Sequence, residues 1–94
     1  LESFQAAAQD LGFASAEART LVLDTVAGAV QLAQAEDTGF TELRQRVTSK
    51  NGTTEAAIAV FENRGFDSMI KDAVVTARDR AIAISSDLSI VLTR

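Results

Sequence analysis

The segment from residue 16 to residue 35 carries apolar residues around most of a helical circumference. Leu23, Val26 and Val30 widen a stripe that already repeats at helical spacing. A helix that is apolar on several sides is buried on several sides. Because 94 residues form only one modest core, we expect a second subunit to cover part of this helix. The stripe consists of Ala18, Leu21, Val22, Thr25, Ala29, Leu32 and Ala33.

Four further segments show apolar residues at helical spacing, and no segment alternates long enough to form a sheet. The chain has 17 Ala and no Pro, a composition that favours helices. We therefore predict one all-α domain over residues 1–94, an orthogonal, interleaved bundle of about five helices that forms an intertwined homodimer. Besides 16–35, the predicted helices are 2–11, 41–47, 54–63 and 68–84. The apolar stripe of the last one consists of Met69, Ile70, Ala73, Val74, Ala77, Ala81 and Ile84. Ser89–Leu92 is predicted to be an ordered tail or a helix extension.

Local signals set the expected ends of these helices. Ser15, Thr41 and Asp67 are the predicted N-caps, and Gly12 suits a left-handed residue that closes the first helix. Gly28 lies within the long helix, where Gly costs about 1 kcal/mol relative to Ala. Two interpretations remain open for Gly28: a tolerated glycine in a core helix, or a close crossing with another helix.

Composition excludes several function classes. With no Cys and no His, we expect no metal site of the common kinds, no disulfide and no thiol or imidazole catalysis. The net charge of −4 argues against nucleic-acid binding, including by a helix-turn-helix, which needs a basic recognition surface. No apolar run is long enough to span a membrane, and the lack of Cys favours a reducing, cytoplasmic setting. The acidic residues Glu36, Asp37, Glu55, Glu62 and Asp72 are interpreted as solvated surface residues.

The polar segment Thr48–Thr54 is the most informative part of the chain. Residues 1–42 hold seven acidic residues and one basic residue, whereas Arg44, Arg46 and Lys50 make the approach to this loop locally basic. The loop leads directly into a predicted helix, whose N-terminal amides and dipole favour an anion. The spacing is not that of a P-loop. The residues alone leave two interpretations open: a carboxylate or phosphate cradle, or a solvated turn whose Thr residues cap the helix.

Leu43–Thr54, LRQRVTSKNGTT, resembles the loop motif of the C-terminal domain of pyrroline-5-carboxylate reductase. Ala59–Phe66 is similar to the helix end of the same domain, and the run from Ala18 to Ala29 resembles its long helix with a Gly-Ala step. The resemblance extends over about residues 1–85. Asn51 departs from it, since the family usually has Gly there; Asn tolerates left-handed geometry, so we expect the turn to survive.

The resemblance implies an enzyme that reduces 1-pyrroline-5-carboxylate to L-proline with NADPH or NADH. It implies that this domain dimerises, that dimers commonly assemble into decamers, and that the loop binds the substrate carboxylate through amides around Ser49, Gly52 and Thr53. It places the hydroxyl of Thr54 at the substrate ring nitrogen and assigns no catalytic acid or base to this chain. The substrate-binding residues that it implies are Val47, Thr48, Ser49, Gly52, Thr53 and Thr54.

The family binds its dinucleotide through G-x-G-x-x-G in an N-terminal Rossmann domain, and this sequence lacks that motif. We therefore expect no cofactor site in this chain and interpret it as a fragment or a truncated relative. The alternative function is a non-catalytic helical dimerisation module, which the apolar circumference of residues 16–35 also fits.

Overall fold

Five α-helices make up the regular structure of the computed structural model, which describes the backbone of residues 1–93 and the side chains of residues 1–88. The described residues form no strand, so the predicted all-α class is confirmed. The interleaved arrangement of two chains stays a prediction. The helices are α1 (Glu2–Asp10), α2 (Ser15–Ala35), α3 (Phe40–Arg46), α4 (Thr53–Asn63) and α5 (Phe66–Thr93).

The observed helix ends differ from the expected ones mainly at the caps. Helix α2 has Ala14 as its N-cap, since the Ala14 carbonyl accepts the first helical hydrogen bond from the Ala18 amide at 2.8 Å. Helix α3 begins in the same way after Gly39. Ser15, Thr41 and Asp67 therefore lie within the first turns of their helices, and the prediction that they are N-caps was wrong. An extended backbone before each of α2 and α3 supplies the carbonyl, without help from a side chain.

Helix α5 is longer than its predicted span of 68–84. It begins at Phe66, after Gly65 with a φ of 71°, and continues to Thr93. The run Ser89–Leu92 therefore extends this helix, which was one of its two predicted states. Among the described residues, no helix has both the length and the apolar composition to cross a lipid bilayer.

The chain divides into two compact units, of which the first comprises Leu1–Val47. Here α1 packs against α2, and the turn between them passes through Gly12, whose φ is 109°. The side chain of Gln5 donates a hydrogen bond to the Ser15 carbonyl at 3.2 Å across that turn. Ala8, Ala18, Val22 and Leu43 are the buried apolar residues of this unit.

The second unit begins at Thr48 and contains α4 and α5, which contact each other. The rings of Phe61 and Phe66 lie 4.9 Å apart, centroid to centroid, where the two helices join. Within residues 48–88 no side chain is buried. Val74, on the predicted apolar face of α5, is 63% exposed in the single chain. The single-domain boundary of 1–94 stays a prediction.

Candidate functional site

A tight turn precedes α4 and sets the direction in which that helix starts. The Gly52 amide donates a hydrogen bond to the Ser49 carbonyl at 2.9 Å, which closes a four-residue turn. Asn51, the third residue of the turn, has a φ of 61°. A positive φ at this position is typical of a type II turn and favours Gly or Asn. The expectation that Asn51 would adopt left-handed geometry is confirmed.

Close packing within the turn favours glycine at position 52. A Cβ at this position would lie 3.1 Å from the Ser49 carbonyl oxygen and 3.2 Å from the Ser49 Cβ. Gly52 is also the N-cap of α4, and its carbonyl accepts the first helical bond from the Ala56 amide at 3.2 Å. The absence of a side chain therefore lets the chain turn back on Ser49 and enter the helix at once.

Three backbone amides at the start of α4 remain unpaired. The N–H groups of Thr53, Thr54 and Glu55 precede the first helical hydrogen bond, and within the described residues no hydrogen bond uses them. The Ser49 amide likewise has no acceptor in this part of the chain. The Gly52 amide, in contrast, is already bonded to Ser49. The unpaired donors of the turn and helix start are thus concentrated in the first turn of α4, where the helix dipole is positive.

Glu55 is exposed, as expected of a surface acid, and its side chain also takes part in the turn, a contact that sequence reasoning missed. Its Oε1 accepts a hydrogen bond from the Asn51 amide at 3.2 Å. Glu55 is the third helical residue after the N-cap Gly52, the position from which a Glu side chain reaches back in a capping box. That spacing is a sequence signal for a Glu55 side chain that reaches back, although the motif expects the amide of the N-cap Gly52 and not that of Asn51 as the donor.

The side chains of the predicted site differ in exposure. Thr48 and Thr54 are half-buried, whereas Ser49 and Thr53 are exposed. The structure brings these four residues together with Gly52 in one short segment of the second unit. Val47 ends the first unit, where it lines an apolar groove of about 360 Å³. That groove is formed by Ala29, Val30, Leu32, Ala33, Phe40, Leu43 and Val47.

The basic residues expected near the loop are used in different ways. Arg46 forms an ion pair with Glu36 at 3.1 Å, which joins the end of α3 to the end of α2. Lys50 is exposed within the turn itself. Asp37, beside Glu36, is exposed at the same bend, as expected for a solvated turn acid. Within the described residues, no group of three or more acidic residues is arranged to hold a metal ion.

Comparison with known proteins identifies the family. A family model described as "pyrroline-5-carboxylate reductase dimerisation" matches residues 1–84. The chain belongs to this family. The resemblance inferred from the loop motif and from Ala59–Phe66 is thereby confirmed. No solved structure matches the chain.

Curated relatives of this dimerisation family agree with the assignment. The chain is 38% identical over 88 residues to the pyrroline-5-carboxylate reductase of Pseudomonas aeruginosa, covering 94% of this chain and 32% of that protein. It is 39% identical over 70 residues to the enzyme of the same name from Synechocystis, covering 74% of this chain and 26% of the relative. The chain is 28% identical over 89 residues to pyrroline-5-carboxylate reductase 2 of Bacillus subtilis, covering 95% of this chain and 32% of that protein. The chain spans about a third of the length of these relatives.

Proposed function

We propose that this chain is the helical, substrate-binding part of a pyrroline-5-carboxylate reductase, which reduces 1-pyrroline-5-carboxylate to L-proline. The observation that carries the proposal is the set of unpaired amides of Thr53, Thr54 and Glu55 at the N-terminus of α4, in a chain whose curated relatives bear that enzyme's name. The substrate is a small ring that carries a carboxylate, and such a group suits a helix N-terminus.

The first turn of α4 supplies donors of two kinds. The backbone amides have fixed directions and would hold the carboxylate in one orientation, whereas the hydroxyls of Thr53 and Thr54 rotate to meet the substrate. The half-buried Thr54 is the residue that we assign to the ring nitrogen. The contribution of this chain to the reaction is to bind and orient the imine, which lowers the entropic part of the barrier.

The cofactor of the proposed reaction is NADPH or NADH, which supplies a hydride when bound. The residues of this chain do not provide the dinucleotide motif of the family, because its five glycines lack the G-x-G-x-x-G spacing. We therefore assign no cofactor contact to any residue here. The Cys-free sequence is compatible with the reducing cytoplasm, which stays the predicted location.

The proposal includes association of the chain with a second copy. Large apolar side chains on α2, α4 and α5 are exposed in the single chain; Leu23 is 45%, Phe61 51% and Val74 63% exposed. Large apolar side chains that a single chain leaves exposed favour an interface, and the matched family is described as a dimerisation family. We propose a homodimer, with assembly of dimers into a decamer as a further step. A non-catalytic association module would share this surface, so only the substrate site separates the two functions.

The test of the substrate site uses the full-length protein and three variants. We expect Thr54→Ala to weaken proline affinity and lower kcat/KM by about tenfold, the effect of losing one hydrogen bond to a desolvated ligand. Thr54→Ser should restore most of both. Thr20→Ala is the matched control, because the Thr20 hydroxyl bonds only to the Ala16 carbonyl of its own helix and should leave both values unchanged.

Two results would contradict the proposal. Unchanged affinity and turnover in Thr54→Ala would remove Thr54 from the site. A full-length protein that associates but reduces no cyclic imine with either nucleotide would favour the non-catalytic module. Titration calorimetry and a nucleotide-oxidation assay measure the two properties separately.

A further inference from the structure

We propose that Glu55 is a positioning residue that fixes the turn before α4 and so keeps the binding amides of that helix ready for an anion. This inference rests on the proposed substrate site, and it adds a residue that makes no substrate contact through its side chain. The side chain of Glu55 would act through the Asn51 amide, to which it is bonded at 3.2 Å.

Some backbone amides around the turn donate hydrogen bonds within the chain, and others do not. A capping-box Glu ordinarily accepts the amide of the N-cap residue. Here the amide of the N-cap Gly52 is taken by the Ser49 carbonyl at 2.9 Å, and the Glu55 carboxylate instead accepts the amide of Asn51. Both amides on the turn side are therefore satisfied within the chain. Those of Thr53 and Thr54 are left for a ligand.

The turn needs a restraint because its backbone is unfavourable for a residue with a side chain. Asn51 has a φ of 61°, a left-handed conformation that costs energy for any residue other than Gly, though least for Asn and Asp. Glu55 offsets part of this cost by bonding the amide of that same residue. Without the bond, we expect the turn to visit other conformations, in which the start of α4 is no longer aligned.

A restraint of this kind affects binding more than catalysis. If only a fraction of molecules holds the competent turn, the apparent dissociation constant rises by the inverse of that fraction. Once substrate is bound the turn is in place, so turnover proceeds as before. A second effect opposes the first: the carboxylate of Glu55 belongs to a residue whose amide is part of the site, and its charge repels an anionic substrate. The two effects change KM in opposite directions when the side chain is removed.

The experiment compares Glu55→Ala, Glu55→Gln and Glu62→Ala in the full-length enzyme. We expect Glu55→Ala to raise KM for the imine about fivefold and to change kcat by less than about twofold. The fivefold figure corresponds to a variant in which about one fifth of the molecules hold the binding conformation of the turn. Glu55→Gln keeps an oxygen acceptor and should return KM to within about twofold of the parent value. Glu62→Ala removes the same charge from an exposed position of the same helix and should leave KM unchanged.

Hydrogen exchange supplies a readout that does not depend on activity. The Asn51 amide should exchange faster in Glu55→Ala and regain its protection in Glu55→Gln, while amides in the middle of α4 stay as protected as in the parent. An unchanged or lowered KM in Glu55→Ala would overturn the inference, and so would a Gln variant as impaired as the Ala variant. If Thr54→Ala impairs binding while Glu55→Ala does not, only the positioning role fails. If Thr54→Ala is also without effect, the substrate site itself fails.

Discussion

The two units of the chain differ in how much of themselves they bury. The first unit, Leu1–Val47, buries four apolar residues, three of which are the small side chains Ala8, Ala18 and Val22. The second unit buries none of its described side chains, although α5 is the longest helix. Small residues allow α1 and α2 to approach closely enough to exclude water within one chain. The larger side chains of α5 contact α4 at Phe66, but none of those that the structure describes is buried.

This difference indicates how stability is divided between folding and association. Burial of apolar surface contributes roughly 25 cal/mol per Å², so a unit whose described side chains all stay at least partly exposed gains less from folding alone than one with a buried core. A helix like α5 is stabilised mainly by tertiary or intersubunit packing of its apolar face. We therefore expect the second unit to depend on a partner copy more strongly than the α1–α2 pair does.

The largest effect should come from a charge on the apolar face of α5. Val74→Asp would place a carboxylate where we expect a partner to cover the helix, at a cost of about 3 kcal/mol or more. The variant should dissociate or unfold, as measured by sedimentation and circular dichroism. Thr76→Asp adds the same charge to α5 outside the predicted apolar stripe and should remain associated. If both variants keep the parent oligomer, this face of α5 is not an interface.

A substitution at Gly28 tests whether α2 also packs against a partner copy. In the part of the chain that the structure describes, no atom lies within 4 Å of a Cβ built at Gly28. Gly28→Ala should therefore raise helix stability by about 1 kcal/mol if that surface is open. If a helix of the partner crosses there, Gly28→Leu should break association through overpacking, at a cost of up to about 3 kcal/mol. Light scattering that reports the parent oligomer for Gly28→Leu would exclude a close crossing at this residue.

In the first unit, a change in the core should lower the stability of the fold and leave the association of chains intact. Ala18 is completely buried, so Ala18→Leu should force α1 away from α2 and cost about 2 kcal/mol. We expect a lower melting temperature and faster hydrogen exchange in α1, with the oligomer retained. Ala16→Leu, at an exposed position of the same helix, is the control. Loss of the oligomer in Ala18→Leu would show that the two units are not as independent as their burial suggests.

Helix positions could be predicted from the sequence because the apolar spacing and the glycine breaks agree with each other. The periodic pattern located all five helices, and Gly12 and Gly65 adopt the positive φ expected where a helix ends. The caps were less predictable. Ser15 and Thr41 are good capping residues, but the N-caps lie one and two residues earlier, at Ala14 and Gly39. Both N-caps have an extended backbone and make no side-chain hydrogen bond to the helix, so side-chain type did not identify them.

The position of the candidate site along the chain could be predicted from the sequence, whereas most of its hydrogen bonds could not. The residues of Thr48–Thr54 pointed to a loop that leads into a helix, and the structure contains that loop. Which amides remain unpaired depends on two hydrogen bonds, from Gly52 to Ser49 and from Asn51 to Glu55. Composition gives no signal for the first bond, while capping-box spacing indicates that Glu55 reaches back but names Gly52 and not Asn51 as the donor. Which apolar faces a partner covers was not predictable from the sequence, because apolar spacing marks a face for burial without identifying the element that covers it.

The smallest effect should be found at Asn51, where neither unit's core is involved. Asn51→Ala keeps the turn sequence but removes the side chain that tolerates a φ of 61°, at a cost of about 1 kcal/mol. That cost corresponds to about a fivefold rise in KM for the imine in the full-length enzyme, because 1.4 kcal/mol is tenfold in binding. Asn51→Gly accepts the same φ and should keep the parent KM, with the oligomer unchanged in both variants. Equal KM values for the Ala and Gly variants would show that the turn conformation does not limit binding, whereas a change in oligomer would show that the loop belongs to the association surface.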